Sequence, residues 1–305
     1  MKFAVFGTGG MGAYFGGRLA RAGHDVWFIA RGRNLAAMRD GGLRIESPTG
    51  NFTVNPVQAT DDPAKIGPVD YVLYCVKLYD VDSTKHALKP LLGPQTSILT
   101  LQNGIDVVDM LAPVVGRERL MPGASYVSSN IFEPGLIRHV GAAGHIDFGE
   151  PDGKISARAK ALIAAFDKAG FEVRFREDII DSLWQKFVLV CTFSGVMTLT
   201  RAPIGVVRAT PETLRLLADA GREAVAVARA SGINLPADFA ESMSTRAQGM
   251  APELKPSLLE DLEHGRRMEV DWFSGTIVRL GEKLGIPTPV HRVIHAALKP
   301  HANGA

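Results

Sequence analysis

Only two cysteines, Cys75 and Cys191, occur in 305 residues, and both lie among apolar neighbours. That scarcity excludes a disulfide-dense scaffold and leaves no thiolate cluster for a metal, so both are expected as buried, reduced thiols. Charge of one sign is also lacking. The formal net charge of +2 is dispersed along the chain, which argues against nucleic acid or a membrane surface as partner. No apolar run reaches the roughly 18 residues of a membrane span, so no transmembrane helix is expected. The first strand begins almost at Met1, so no signal peptide is expected either, and the expected compartment is the cytoplasm. Internal repeats and low-complexity segments are absent. What remains is an ordinary globular composition, 46% hydrophobic and 22% charged, at a length comfortable for two domains.

The chain is organised around its first residues. Phe3 to Phe6 form a short apolar run suited to a buried strand. Gly7-Thr8-Gly9-Gly10-Met11-Gly12 follows with G-x-G-x-x-G spacing, and then a helical stretch. The first glycine permits the tight turn, and the second lets backbone approach a pyrophosphate. The third lets the helix pack on the strand, so that its N-terminal amides and positive dipole end meet the anion. Glycine-rich turns are common, but the strand before and the helix after make this a dinucleotide-site signature. Gly16 and Gly17, poor helix formers inside that helix, imply close approach to a neighbouring element. Val26 to Ala30 reads as the second strand. At its end an NAD site carries an acid for the ribose 2′-hydroxyl, whereas this chain has Ala30-Arg31-Gly32-Arg33 and no acid until Asp40. A guanidinium forks naturally onto a phosphate dianion, so Arg31 points to NADP(H); the alternative is a pair of solvated surface arginines.

Leu43 to Ser47 and Phe52 to Val57 read as a hairpin. Val69 to Val76 is a near-continuous apolar run, as expected of a parallel strand buried on both faces, and it ends at Lys77. Ile98 to Leu101 is a further strand ending at Gln102-Asn103-Gly104, and a helical pattern follows each. Ligands of open α/β sheets gather at the carboxyl ends of the strands. Lys77 and Asn103 therefore either face cofactor or substrate or serve as local caps. Leu120 to Glu150 reads as the last, antiparallel strands of the sheet. Ile155 to Ala169 is an amphipathic helix and Phe171 to Phe175 a closing strand. From Asp178 onward nearly everything reads as helix, broken at prolines. The expected fold class is α/β: an N-terminal Rossmann-type dinucleotide-binding domain over 1–177, followed by an all-helical C-terminal domain over 178–305.

Lys186 lies in the apolar run that opens the helical half, and Lys186, Val190 and Ser194 share one helical stripe at i, i+4, i+8. Its ammonium either snorkels to water or is held in a cleft. Farther on, Ser257, Asp261 and Glu269 are expected on charged but partly apolar helix. Most of those carboxylates read as solvated faces, whereas Glu269 stands between Met268 and Val270.

These residues together resemble the ketopantoate reductase (2-dehydropantoate 2-reductase) family along essentially the whole chain. The resemblance rests on GTGGMG at 7–12, Arg31, CVKL with Lys77, LQNG with Asn103, LWQK with Lys186, and Ser257 followed by Glu269 in MEVDWFSG. It implies NADPH-dependent reduction of the 2-keto group of ketopantoate to pantoate, a step of pantothenate biosynthesis. By the family pattern Lys186 is the general acid, and Glu269 binds a substrate hydroxyl and orients the lysine. Ser257 contacts the substrate carboxylate, Asn103 the substrate, and Lys77 the nicotinamide side of the cleft. The chain departs from the family at Val190 and Ser194, where better-known members carry asparagines. That leaves two alternatives standing: a reductase of a more apolar 2-keto acid, and a non-catalytic dinucleotide-binding sensor. The partner expected is a small 2-keto acid, with a homodimer left open by base rate.

Overall fold

The computed structural model describes residues 1–141 and 144–304, and the chain divides into two compact units, Met1–Ser182 and Leu183–Ala305. In the first unit, β1 (Lys2–Phe6) leads into α1 (Gly10–Arg21), β2 (Asp25–Ile29) and α2 (Gly32–Gly41). Next come β3 (Leu43–Glu46), β4 (Phe52–Val54), β5 (Gln58–Thr60) and β6 (Val69–Tyr74). A short α3 (Val81–Thr84), β7 (Leu92–Thr100), α4 (Val107–Val115) and β8 (Leu120–Ser125) follow. The unit continues with β9 (Ser128–Glu133), β10 (Leu136–Val140), β11 (Ile146–Phe148), α5 (Ala157–Lys168) and β12 (Val173–Phe175).

The strands form two sheets. The larger has the order β12-β11-β8-β7-β6-β1-β2-β5, and the smaller the order β4-β3-β10-β9. From β8 to β5 the larger sheet is parallel, and β11 pairs antiparallel to β8. The expected hairpin of β3 and β4 is present, but it belongs to the smaller sheet. That sheet also takes β9 and β10, so the segment from Leu120 to Glu150 does not simply finish one sheet: β8 extends the parallel set, and only β11 turns back. The expected strand to Val57 stops at Val54, ahead of Pro56, whose ring nitrogen offers no donor to a ladder. The chain then re-enters the larger sheet as β5 beside β2. After β6 the expected helix is only α3 followed by a 3-10 segment, Lys85–Leu91, that contains Pro90.

Helix α1 is held between the two sheets by its glycines. A Cβ on Gly12 would lie 2.3 Å from Gly7 O, and one on Gly16 would lie 2.6 Å from Val5 Cγ2 and Phe28 Cε1, all on the larger sheet's side. On the opposite face, a Cβ on Gly10 would lie 2.2 Å from Ser129 O and one on Gly17 2.4 Å from Ile45 Cδ1. Both faces therefore gain backbone-close packing that any larger residue would forbid. Phe3, Phe15, Phe28, Leu43, Ile45 and Phe166 fill the shared core, each fully or almost fully buried. Each such side chain contributes about 1.5–3 kcal/mol by leaving water.

The second unit is helical. It comprises most of α6 (Ile179–Thr200), then α7 (Ile204–Ala209), α8 (Pro211–Ala230), α9 (Ser242–Gly249), α10 (Ser257–Glu263), α11 (Ser274–Leu284) and α12 (Pro289–Leu298). By length and composition α6 could cross a membrane, at mean hydropathy 1.3, yet 61% of that stretch is buried inside the protein. The core helix of a folded unit passes the same test. Cys191 on α6 is buried and Cys75 partly so, and neither forms a disulfide among the described residues, as the sequence suggests.

Glu223 of α8 accepts the Val290 and His291 amides at 2.8 and 2.9 Å, closing the start of α12. His291 itself is fully buried; its ring nitrogens lie 3.2 Å from Ser274 Oγ and 3.0 Å from Ala220 O. Burial pushes its pKa down to about 4, and the hydrogen bond to Ala220 O offsets this only in part. The unfolded chain takes up a proton near the ordinary histidine value of about 6.5, which the folded chain refuses until near pH 4. Stability from this group is thus full above about pH 6.5 and falls with acid, by about 3 kcal/mol at most. Urea midpoints at pH 7.5 and pH 5 should differ less in His291→Gln than in the parent; equal differences would exclude His291 as the source.

Candidate active site

Four strands of the larger sheet deliver their carboxyl ends to one edge. At the first, Gly7 adopts φ +99°, and a Cβ there would meet Val76 N at 2.7 Å, so the turn out of β1 requires glycine. Thr8 is tied down: its amide and hydroxyl both donate to Ile29 O, at 3.2 and 2.9 Å. Gly9 faces open space, with no atom within 4 Å of where its Cβ would stand. Helix α1 starts there with no side-chain cap and no acidic residue in its first turn. Its first amides lack intrahelical acceptors, so the dipole end and free donors are available to an anion.

Arg31 follows β2 and is the N-cap residue of α2, a helix whose first turn also lacks an acid. Arg31 and Arg33 are exposed and form no ion pair among the described residues. Cations at a helix N-terminus oppose the macrodipole, a local cost that a bound anion would relieve. After β6 come Cys75, Val76 and Lys77; burial pushes the Cys75 thiol up to about 12, away from the thiolate form. Gly7, Thr8, Gly9, Arg31 and Lys77 line one cleft of about 280 Å³. Gly10, Met11 and Gly12 lie behind it in α1, and Asn103 sits partly buried just beyond β7 without lining it.

Two residues in this unit escaped the sequence reading. Gln102 is buried, and its Nε2 donates to Tyr74 O and Val76 O at 3.0 and 3.1 Å, which fixes the segment carrying Lys77. Asn34, on α2, lines the cleft and bonds the backbone at Thr8 and Gly135. Neither is visible in a pattern of hydrophobicity; an amide beside a recognised motif, as Gln102 stands beside Asn103, is the only signal.

In the helical unit, Lys186 and Val190 are half-buried on α6 and Ser194 is buried. Next to Ser194, a Cβ on Gly195 would lie 3.3 Å from Ser274 Oγ, which places this turn of α6 against the start of α11. Ser257 is the first residue of α10 and exposed. Glu269 is 3% exposed between buried Met268 and Val270, as its neighbours in the sequence suggest, but it lies beyond the end of α10 at Glu263 and not on the expected helix, which stops ahead of Gly265. Asp261 departs from the expected solvated face: it is buried, with Arg266 Nε 2.7 Å from its Oδ1. Asp271 accepts from His295 Nε2 at 2.8 Å and from Lys299 Nζ at 2.6 Å. Burial opposes ionisation of Asp271, but the hydrogen bonds from Lys299 and His295 outweigh it and hold the carboxyl below its usual range.

Known proteins resemble this chain along nearly its whole length. Residues 3–153 match the family described as ketopantoate reductase PanE/ApbA, and residues 178–302 match its C-terminal part. A 2-dehydropantoate 2-reductase of Mesorhizobium japonicum is 30% identical, over 98% of this chain and 97% of that protein. Among solved structures, the PanE/ApbA family ketopantoate reductase of Ralstonia eutropha JMP134 is 35% identical with a TM-score of 0.91, covering 99% of this chain and 98% of its own. The 2-dehydropantoate 2-reductase of Geobacter metallireducens GS-15 is 32% identical with a TM-score of 0.92, over 98% of this chain and 99% of its own. Matched in both halves and nearly end to end, the chain belongs to the ketopantoate reductase family of oxidoreductases.

Proposed function

We propose that the protein is an NADPH-dependent 2-dehydropantoate 2-reductase, converting ketopantoate to pantoate in pantothenate biosynthesis. The observation that carries the proposal is near-complete coverage of 2-dehydropantoate 2-reductases at 30–35% identity. The cleft suits a dinucleotide: Gly7 makes the tight turn, Gly9 leaves room for a pyrophosphate, α1 offers uncapped amides, and Arg31 and Lys77 supply positive charge. Exposed Arg31, with no acid after β2, favours a 2′-phosphate over a free 2′-hydroxyl. A reductase of this pathway would work in the cytoplasm, where NADPH is supplied.

When bound, the reduced nicotinamide supplies the hydride for the keto carbon. As negative charge grows on the carbonyl oxygen, the Lys186 ammonium stabilises it and gives up a proton, so the product leaves as the 2-hydroxy acid. Lys186 regains its proton from water. The buried Glu269 carboxylate accepts from the substrate hydroxyl and orients the ammonium. Ser257 donates its hydroxyl to the substrate carboxylate, and the Asn103 amide contacts the substrate.

Val190 and Ser194 keep the second reading, a more apolar 2-keto acid, in play. Val190→Asn adds an amide that must lose water on binding and that only a polar substrate can pair. The ratio of kcat/KM for ketopantoate to that for an unhydroxylated branched 2-keto acid should rise by about tenfold or more. An unchanged ratio in a folded variant would remove this stripe from the substrate site.

A further inference from the structure

We propose that the β9–β10 hairpin is the outer wall of the cofactor cleft, with Ile131 packing on the adenosine half of the dinucleotide and Asn34 as the positioning residue that holds the wall. The inference rests on the dinucleotide reading of the cleft.

The hairpin is anchored to the phosphate loop at two points. At its start, the backbone of Ser129 and Asn130 lies so close to α1 that a Cβ on Gly10 would stand 2.2 Å from Ser129 O and 2.5 Å from Asn130 Cα. At its turn, Asn34 bridges the two elements: its Nδ2 donates to Thr8 O at 3.0 Å, and its Oδ1 accepts from Gly135 N at 2.9 Å. A carbonyl can only accept and an amide N–H can only donate, so the orientation of the Asn34 side chain is fixed by its partners. Thr8 is in turn bonded to the end of β2. One side chain thus sets the spacing between the glycine loop, the Arg31 end of α2 and the hairpin turn.

Between these anchors stands Ile131. It lines the same cleft as Gly7, Gly9 and Arg31, and it remains 42% exposed. Successive strand residues point to opposite faces. Accordingly Phe132 points away and stays exposed, with the Arg138 guanidinium carbon 3.4 Å from its ring centroid. An apolar side chain left open on a cleft that Arg31 also lines matches the flat face of the adenosine, the half that lies nearest the end of β2. Adenosine is common to NADPH and NADH, so Ile131 would serve both, whereas Arg31 would discriminate between them.

The test is fluorescence titration of purified protein with NADPH and with NADH, without substrate. Ile131→Ala should raise both Kd values by a similar several-fold factor, and Ile131→Leu should restore most of the loss. In turnover the loss should fall on the KM for dinucleotide rather than on kcat. Asn34→Ala should weaken both cofactors by about tenfold, the cost of one bridging side chain. Because Asn34 acts by holding the wall, the Asn34→Ala and Ile131→Ala losses should combine to less than their product. Unchanged Kd in Ile131→Ala, or independent losses in the double variant, would overturn the proposal. Ile131 is exposed, so its variants decide the matter even if Asn34→Ala fails to fold. Tight dinucleotide binding without turnover of any 2-keto acid would count against the reductase reading and leave this one standing.

Discussion

Lys186→Met is expected to lower kcat by roughly 10²–10⁴ while leaving dinucleotide affinity within a few-fold of the parent. Methionine keeps the length of the apolar stem, so α6 should pack as before, with Lys186 only half-buried at the outset. What disappears is the ammonium, the proposed source of both the proton and the positive charge opposite the developing oxyanion. Steady-state kinetics at saturating cofactor and a parallel binding titration separate the two effects. If turnover survived within a few-fold, the ammonium would be a snorkelling surface group and another donor would have to supply the proton.

Arg31→Ala should raise KM for NADPH by roughly 10- to 150-fold, the span of a hydrogen bond to a charged group, and leave KM for NADH nearly unchanged. Arg31 is exposed and outside every ion pair among the described residues, so its loss should cost little stability and the kinetic change can be read directly. Rising ionic strength should narrow the difference, because an exposed pair is screened. Equal losses for both dinucleotides would place Arg31 outside the 2′-phosphate site.

Much of the architecture is legible in local pattern. Phe3–Phe6, the glycine turn and α1 announce themselves because the strand, its tight turn and its helix are contiguous. Burial of Glu269 is readable from Met268 and Val270 on either side of it. Partners distant in sequence are not readable in this way. The parallel pairing of β10 with β3 joins residues 136–138 to residues 44–46, and no single segment states which of two sheets it will enter. Gly10 reads as one more glycine of the motif, yet its missing Cβ admits the backbone of β9. Gln102 and Asn34 act through side-chain bonds to backbone in other loops, which leave no periodic trace. Asp261 looks like surface charge until Arg266, five residues on, covers it.

The central claim is tested most directly by following NADPH oxidation with ketopantoate beside a panel of unhydroxylated 2-keto acids, with the product identified. The account predicts stoichiometric conversion of ketopantoate to pantoate, at a higher kcat/KM than for any other acid in the panel. Ketopantoate left unreduced by protein that binds NADPH would contradict it.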